Sequence, residues 1–182
     1  MSNYMGIDLS FAKSGVAVIE VKGKTPTIKM AHLIKSDTSK EPIERIDDTV
    51  TEIKYIASKT NPEAVLKEAC VVGRASTAVN VIMTHGVYED TLSVKYRLED
   101  VHNATIKAWA RKVTGKKSTK ENKKTLTAEA VEKYYGKVDA MWTPRGALKD
   151  DIADAIALTT LWLEREGIIE EKFKKEAKQC ST

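Results

Sequence analysis

The chain has 182 residues, enough for one domain with a full hydrophobic core, and it carries 30 basic and 26 acidic residues. Its net charge of +4 only weakly favours an anionic partner. No apolar run is long enough to span a bilayer, and the N-terminal MSNYMGIDLSF lacks the basic start of a signal peptide, so we expect a cytoplasmic protein without a membrane partner. The two cysteines, Cys70 and Cys180, do not indicate a disulfide framework.

The predicted elements begin with three strands, at residues 3–10, 16–21 and 27–34, whose short connections indicate an antiparallel meander. Apolar residues at helical spacing then predict a helix from Glu41 to about Asn61. The elements predicted after it are a strand at 63–72, a helix at about 76–88, a short strand around 92–96, a lysine-rich loop after residue 113, and helices at about 127–135 and 150–166. This order predicts a mixed five-stranded α/β sheet with helices on both faces.

The stretch KDDIADAIAL, residues 149–158, puts three acids at the head of an apolar helix. Asp151 and Asp154 share one helical face, whereas Asp150 is rotated by roughly 100° from Asp151. The helix dipole favours acids in the first turn, which accounts for Asp150 and Asp151 but not for Asp154 one turn later. These acids therefore form either a solvated helix start or a site for a cation.

Two further acids lie on strands that should be central. Asp8 is flanked by apolar residues in the first strand, and Glu68 lies toward the end of the fourth, which is the expected neighbour of the first. Acids in buried strands are uncommon unless paired, so Asp8 could instead cap or turn the meander, and Glu68 could pair with Lys67 or Arg74. If the C-terminal acidic helix packs across the sheet, four carboxylates meet, and such a cluster needs a counter-charge such as Mg²⁺.

The motifs MGIDLS, VLKEACVV, VTGKKSTKEN and DDIADAIAL, in this order and spacing, resemble the RuvC-type Holliday junction resolvases of the RNase H-like superfamily. The resemblance implies an RNase H-like nuclease domain over residues 1–167, followed by a polar, charged tail at 168–182. It also implies a set of carboxylate metal ligands, which are Asp8, Glu68, Asp151 and Asp154. The family's Thr-Gly loop corresponds here to Thr114, Gly115, Lys120, Glu121 and Asn122.

The activity implied by the resemblance is resolution of Holliday junctions in DNA recombination and repair, by paired phosphodiester cuts. Two Mg²⁺ ions, for which Mn²⁺ can substitute, would activate water and stabilise the leaving oxygen. Asp8 would bridge the ions, and Glu68 and Asp154 would each reach one of them. Asp151 would complete the second site or orient a water, although the neighbouring Asp150 leaves open which of the two is the ligand.

Lysines dominate the segment from residue 107 to residue 124, where eight basic residues stand against one acid, Glu121, a local net charge of +7. A solvated charged loop is the common meaning of such a run, but its place before the acidic helix favours phosphate binding. Lys120, which matches the family's lysine, is the candidate to reach the scissile phosphate. The remaining candidates for DNA contacts are Lys116, Lys117, Lys123, Lys13 and Arg74.

Paired cuts imply two active sites related by symmetry and therefore a homodimer. The helix predicted at 76–88, with Val79, Met83 and Val87 at helical spacing, could form part of the interface, but an ordinary buried face explains the same pattern equally well. In bacterial resolvases of this type the residue three past the strand-four acid is often an aromatic wedge, and here it is Val71. This departure suggests a phage or viral relative that acts on several branched DNAs, including Y-junctions.

Two rival interpretations stay open at this point. An RNase H-like ribonuclease acting on RNA–DNA hybrids would use a similar acidic cluster and Mg²⁺. A non-catalytic module that binds branched DNA would keep the lysines without needing four acids. Metal-dependent nicking separates the module from the enzymes, and the nucleic acid that is cut separates the two enzymes.

Overall fold

The structure, a computed structural model, describes residues 1–70 and 75–173, and the side chains of residues 75–78 fall outside that description. Val71, Arg74 and Cys180 therefore lie outside the described residues. The predicted mixed sheet is confirmed, with five strands in the order β3-β2-β1-β4-β5. The strands are β1 (Ser2–Asp8), β2 (Lys13–Lys22), β3 (Thr25–Lys35), β4 (Ala64–Glu68) and β5 (Leu98–Val101).

The first three strands form the predicted antiparallel meander, and β4 and β5 then add in parallel to β1. Parallel strands end at the same edge of a sheet. Asp8 is the last residue of β1 and Glu68 the last residue of β4, so the topology brings both acids to one edge. This edge positions the candidate site.

The described part of the chain also contains five α-helices, which are α1 (Pro42–Thr60), α2 (Ala75–Ser93), α3 (Asn103–Thr114), α4 (Leu126–Tyr135) and α5 (Asp150–Arg165). Helix α1 begins with a proline at its first position, which suits a residue without a backbone N–H. The Glu44 carboxylate accepts a hydrogen bond of 3.1 Å from the Glu41 backbone N–H, and Asn61 ends the helix in the left-handed conformation. One apolar cluster lies between the sheet and helices α3, α4 and α5, and a second lies under α1 and α2.

Helix α5 is apolar nearly all round because it lies in the centre of the first cluster, packed across β1 and β2. Its close approach to the sheet requires glycine at two positions. A Cβ atom on Gly6 would lie 2.6 Å from the carbonyl oxygen of Ala155, and one on Gly15 would lie 2.7 Å from the backbone nitrogen of Ile152. Both distances are too short for real side chains, so these glycines set how deeply α5 sits.

The region between β4 and the lysine-rich loop differs from the prediction. The strand expected around residues 92–96 is wrong, because α2 continues to Ser93 and buries Leu92 in the core. The strand that pairs with β4 is Leu98–Val101, and the sequence analysis missed the helix α3 that follows it. Helix α3 buries Ile106, Trp109, Ala110 and Val113, which follow the helical period.

The C-terminal end of the described chain packs against the body of the domain. Ile169 is 2% exposed within the first apolar cluster, and Phe173 packs against that cluster's surface. The division between a domain at residues 1–167 and a tail at 168–182 stays a prediction. Within the described part of the chain, no helix combines the length and apolar character needed to cross a membrane.

Candidate active site

Four carboxylates converge where β1 and β4 end beneath the first turns of α5. Asp8 pairs with Gly15 in the β1–β2 register, and the absent side chain of Gly15 lets the backbone of Asp151 lie directly above. Burial, followed by the negative charges of Asp154, Glu68 and Asp151, raises the pKa of Asp8 to about 8. The other three predicted acids are therefore within electrostatic reach of Asp8.

The other three carboxyl groups share this environment. Burial is the main cause that raises the pKa of Glu68, Asp151 and Asp154 above their ordinary values. Asp151 Oδ2 and Asp154 Oδ1 are buried without a hydrogen-bond partner in the described residues. Buried polar atoms without partners carry a free-energy cost, so these oxygens are suited to bind a cation directly.

The oxygen atoms suit Mg²⁺ chemically, because hard divalent ions prefer carboxylate ligands. Among the described residues, however, no three His, Cys, Asp or Glu side chains are arranged to hold one ion together. In this arrangement the four acids do not form a coordination shell, so binding of an ion would require carboxylate side chains to change their torsions.

Two lysines supply positive charge at the rim of the cluster. Lys13 Nζ lies 3.9 Å from Asp151 Oδ2, and Lys107 Nζ lies 3.7 Å from Asp154 Oδ2. Both separations are too long for direct hydrogen bonds, so the lysines act mainly through charge. Lys13 was expected only as a backbone contact for DNA. Lys107 belongs to the lysine run of the sequence, but it was not predicted at the site, because α3 was not predicted.

The carboxylate of Glu68 has a hydrogen-bond donor that the sequence analysis missed. Asn103 Nδ2, at the first position of α3, donates a 2.6 Å hydrogen bond to Glu68 Oε1. The alternative pairing of Glu68 with Lys67 is wrong, because Lys67 points to the opposite face of the sheet, where its Nζ lies 3.0 Å from Glu89 and 2.6 Å from Asp100. The alternative pairing with Arg74 lies outside the described residues.

Asp150, the extra acid, lies at the first position of α5. Its negative charge contributes to the raised pKa values of Asp151 and Asp154. The charges that raise the pKa of Asp8 are those of Asp154, Glu68 and Asp151. The arrangement therefore favours Asp151 over Asp150 as the fourth member of the cluster, and this assignment stays a prediction.

Known proteins resemble this chain in sequence and in fold. No protein-family model matches the chain. The chain is 26% identical over 162 residues to the crossover junction endodeoxyribonuclease RuvC of Synechococcus, covering 88% of this chain and 98% of the relative. The structure of Thermus thermophilus RuvC in complex with a Holliday junction substrate aligns with a TM-score of 0.67 and 15% identity over 92% of this chain and 97% of that chain. The chain is RuvC-like in sequence and fold.

A second RuvC-like structure comes from a eukaryotic organelle. The yeast mitochondrial Holliday junction resolvase aligns with a TM-score of 0.67 and 15% identity, covering 91% of this chain and 79% of that chain. At this identity the likeness concerns the fold, which confirms the predicted RNase H-like architecture. The resemblance to RuvC-type resolvases is therefore supported independently by sequence and by fold.

The lysine-rich loop connects α3 to α4. Gly115 ends α3 with a φ of 74°, a left-handed conformation that favours glycine, and this explains the glycine of the Thr-Gly motif. Asn122 then holds the loop closed, because its Oδ1 accepts a 2.7 Å hydrogen bond from the Thr119 N–H and its Nδ2 donates one of 3.0 Å to the Lys117 carbonyl. The loop is therefore ordered around an asparagine side chain.

The lysines of this loop are solvent-exposed at Lys116, Lys117, Lys120 and Lys123. Lys116 forms an ion pair of 2.6 Å with Glu129 of α4, so the charge of Lys116 is partly neutralised. Since exposed ammonium groups are free to reach a polyanion, this placement agrees with phosphate binding but also with a solvated loop. The DNA-binding assignment of these residues stays a prediction.

Proposed function

We propose that the protein is a divalent-metal-dependent endonuclease that resolves Holliday junctions or related branched DNA by paired phosphodiester cuts. One observation carries the proposal: Asp8, Glu68, Asp151 and Asp154 converge at one sheet edge, with the pKa of Asp8 raised to about 8. Such a concentration of buried acids is costly to folding, and it is typical of sites that bind cations. The RuvC-like sequence and fold give the proposal its substrate class.

The four carboxylates would hold Mg²⁺, with two ions proposed and Mn²⁺ able to replace Mg²⁺. Bound ions would supply an activated water and stabilise the leaving oxygen of an in-line displacement. The protein's own contribution is to present the oxygens of four half-buried carboxylates close together. Asp8, which comes from the central strand and lies among the other three acids, is proposed as the shared ligand.

The cations around the cluster would act on the nucleic acid. Lys13 and Lys107 lie at the rim and can turn from the carboxylates toward a phosphate once ions neutralise the acids. Lys120 is the proposed contact to the reacting phosphate, and the other loop lysines would bind the DNA backbone. Arg74 remains a candidate for the backbone as well, although it lies outside the described residues.

A homodimer is proposed because paired cuts need two active sites. Helix α2 exposes an apolar patch in which Val79 is 61% exposed, Ile82 49% and Met83 38%. Val87, by contrast, packs against the second apolar cluster, so only part of the predicted stripe is available to a partner. An exposed apolar patch of this kind fits a self-complementary contact.

The test is cleavage of labelled four-way junction, Y-junction, linear duplex and RNA–DNA hybrid substrates, each with Mg²⁺ and with EDTA, using Asp8→Asn as the inactive control. Mg²⁺-dependent cutting of the branched DNAs, lost in the variant, is the expected result. Selective cutting of the hybrid would favour an RNase H-like ribonuclease. Tight junction binding without any nicking would favour a non-catalytic module.

A further inference from the structure

One face of α3 lies against the acidic cluster, and the two residues on this face that reach the acids are not proposed metal ligands. Asn103 and Lys107 are four residues apart, so their side chains lie on the same face of the helix. Asn103 contacts Glu68 and Lys107 lies near Asp154, which places one partner on a strand acid and the other on a helix acid. Helix α3 therefore lies next to an acid of strand β4 and an acid of helix α5.

The amide of Asn103 is placed opposite Glu68 by a short, rigid piece of backbone. The Ala69 N–H donates a 3.0 Å hydrogen bond to the carbonyl of Val101, which extends the β4–β5 pairing one residue past Glu68. Asn103 follows Val101 by two residues, at the start of α3. Glu68 at the end of β4 and Asn103 just past the end of β5 therefore lie at nearly the same level.

The side chain of Asn103 is committed to this contact. The N-cap of α3 is His102, and Asn103 occupies the first helical position, so its amide donates to Glu68 rather than serving as the cap. A glutamate has three side-chain torsions, and the last is broad, so an unrestrained carboxylate samples many orientations. A donor fixed on one oxygen restricts that rotation.

We propose that Asn103 is a positioning residue for the metal site: its amide holds Glu68 Oε1 so that the second oxygen of the ionised carboxylate faces Asp8 and Asp154. The inference rests on the proposed metal-dependent function and adds a specific residue to it. Asparagine suits the role because it donates a hydrogen bond without adding charge. Aspartate, as an acceptor, would repel Glu68 and turn it away.

The experiment compares Asn103→Leu, which keeps the size and removes the donor, with Ala104→Leu, an exposed neighbour on α3, as the matched control. Calorimetry with Mn²⁺ alone measures ion affinity without reference to cleavage. Loss of a hydrogen-bond partner to a ligand typically costs 10- to 100-fold in metal affinity, so we expect Asn103→Leu to weaken Mn²⁺ binding about 10-fold or more. We expect Ala104→Leu to bind Mn²⁺ as the wild type does, and both variants to bind a four-way junction normally in EDTA.

A double-mutant cycle with Glu68→Gln separates this inference from the function on which it rests. If Asn103 acts through Glu68, its replacement has no further effect on Mn²⁺ binding once Glu68 is an amide. An unchanged Mn²⁺ affinity in Asn103→Leu, with a clear loss in Glu68→Gln, would overturn the role of Asn103 alone. An unchanged affinity in Glu68→Gln would overturn the metal site itself. Should Asn103→Leu fail to fold by circular dichroism, Asn103→Ala takes its place in the same cycle.

Discussion

Gly15 of β2 lies directly against the backbone of Asp151 at the start of α5. A Cβ atom at Gly15 would overlap the carbonyl of Asp151 and would lie 2.7 Å from the nitrogen of Ile152. Gly15 also pairs with Asp8 across the β1–β2 ladder. One glycine therefore sets the separation between the strand acid Asp8 and the helix acids.

The first prediction is that Gly15→Ala displaces the first turn of α5 and sharply reduces cleavage. Overpacking of a tight contact costs about 1–3 kcal/mol, so we also expect a lower melting temperature. Gly86→Ala is the control, because a Cβ there meets nothing within 4 Å and alanine is favoured inside helix α2. Normal cleavage by Gly15→Ala would show that the position of α5 tolerates displacement.

The second prediction concerns the dependence of stability on pH in the metal-free protein. The pKa of Asp8 is raised to about 8 in the folded state, while an unfolded aspartate titrates near 3.9, about four units lower. The folded state therefore binds more protons between about pH 4 and pH 8, and its stability falls as the pH rises through this window. Divalent ions should reverse the fall and release protons.

Asp8→Asn should remove much of this dependence, because an amide carries no charge to bury. Near pH 4 the variant and the wild type should have similar stability. At pH 8 in EDTA we expect the variant to be more stable by several kcal/mol, up to the roughly 5 kcal/mol that four pKa units represent, and to melt at a higher temperature. If the melting temperatures of the two proteins changed with pH in the same way, the raised pKa of Asp8 would be contradicted.

How far the sequence predicts this site depends on the element that carries each residue. The acids could be predicted because Asp8 and Glu68 lie in recognisable apolar strands, and because the spacing of Asp151 and Asp154 puts them on one face of a helix. Helix α3 was missed because its region was assigned a strand at 92–96 and no element before the lysine loop, although Ile106, Trp109 and Val113 have helical spacing. Without α3, the contacts of Asn103 and Lys107 could not be placed.

Other features could not be predicted because they depend on packing between distant segments. The sequence does not indicate that Gly6 and Gly15 lie under α5, since nothing local marks the depth of a helix on a sheet. The ion pairs of Lys67 with Glu89 and Asp100 likewise join three separate elements. Strand alternation, however, would have separated Lys67 from Glu68, because neighbouring residues point to opposite faces.

The third prediction tests the lysine loop. Replacing Lys117, Lys120 and Lys123 together by alanine should weaken junction binding and reduce its salt dependence, because fewer counterions are released. Replacing Lys54 and Lys59 on α1 changes exposed lysines of another element and serves as the comparison. Lys120→Ala alone should reduce cleavage more than binding. If junction binding by the triple variant depended on salt as strongly as binding by the wild type, the loop would be a solvated segment that does not contact DNA.

The fourth prediction follows from Val71, which the sequence places three residues after Glu68 and which lies outside the described residues. Base stacking on an aromatic side chain is worth about 1–3 kcal/mol per base, and valine cannot provide it. We expect Y-shaped and flapped DNA to be cut at rates comparable with a four-way junction, with weak sequence preference. Mapping the cut sites on a mobile junction and on fixed Y-junctions measures the sequence preference and the relative rates. Cutting at one short sequence only, with the Y-junctions left intact, would refute the prediction.

The most direct measurement for the whole account is Mg²⁺-dependent junction cleavage by single carboxylate variants. Asp8→Asn, Glu68→Gln and Asp154→Asn should each abolish cutting while leaving junction binding in EDTA intact, since amides fill the same space but are poor ligands for a divalent ion. Asp150→Asn is the matched control, because Asp150 is a neighbouring acid outside the proposed ligand set, and this variant should cut almost normally. Near-normal cleavage by any two of the first three variants would contradict the assignment of these carboxylates as the active site.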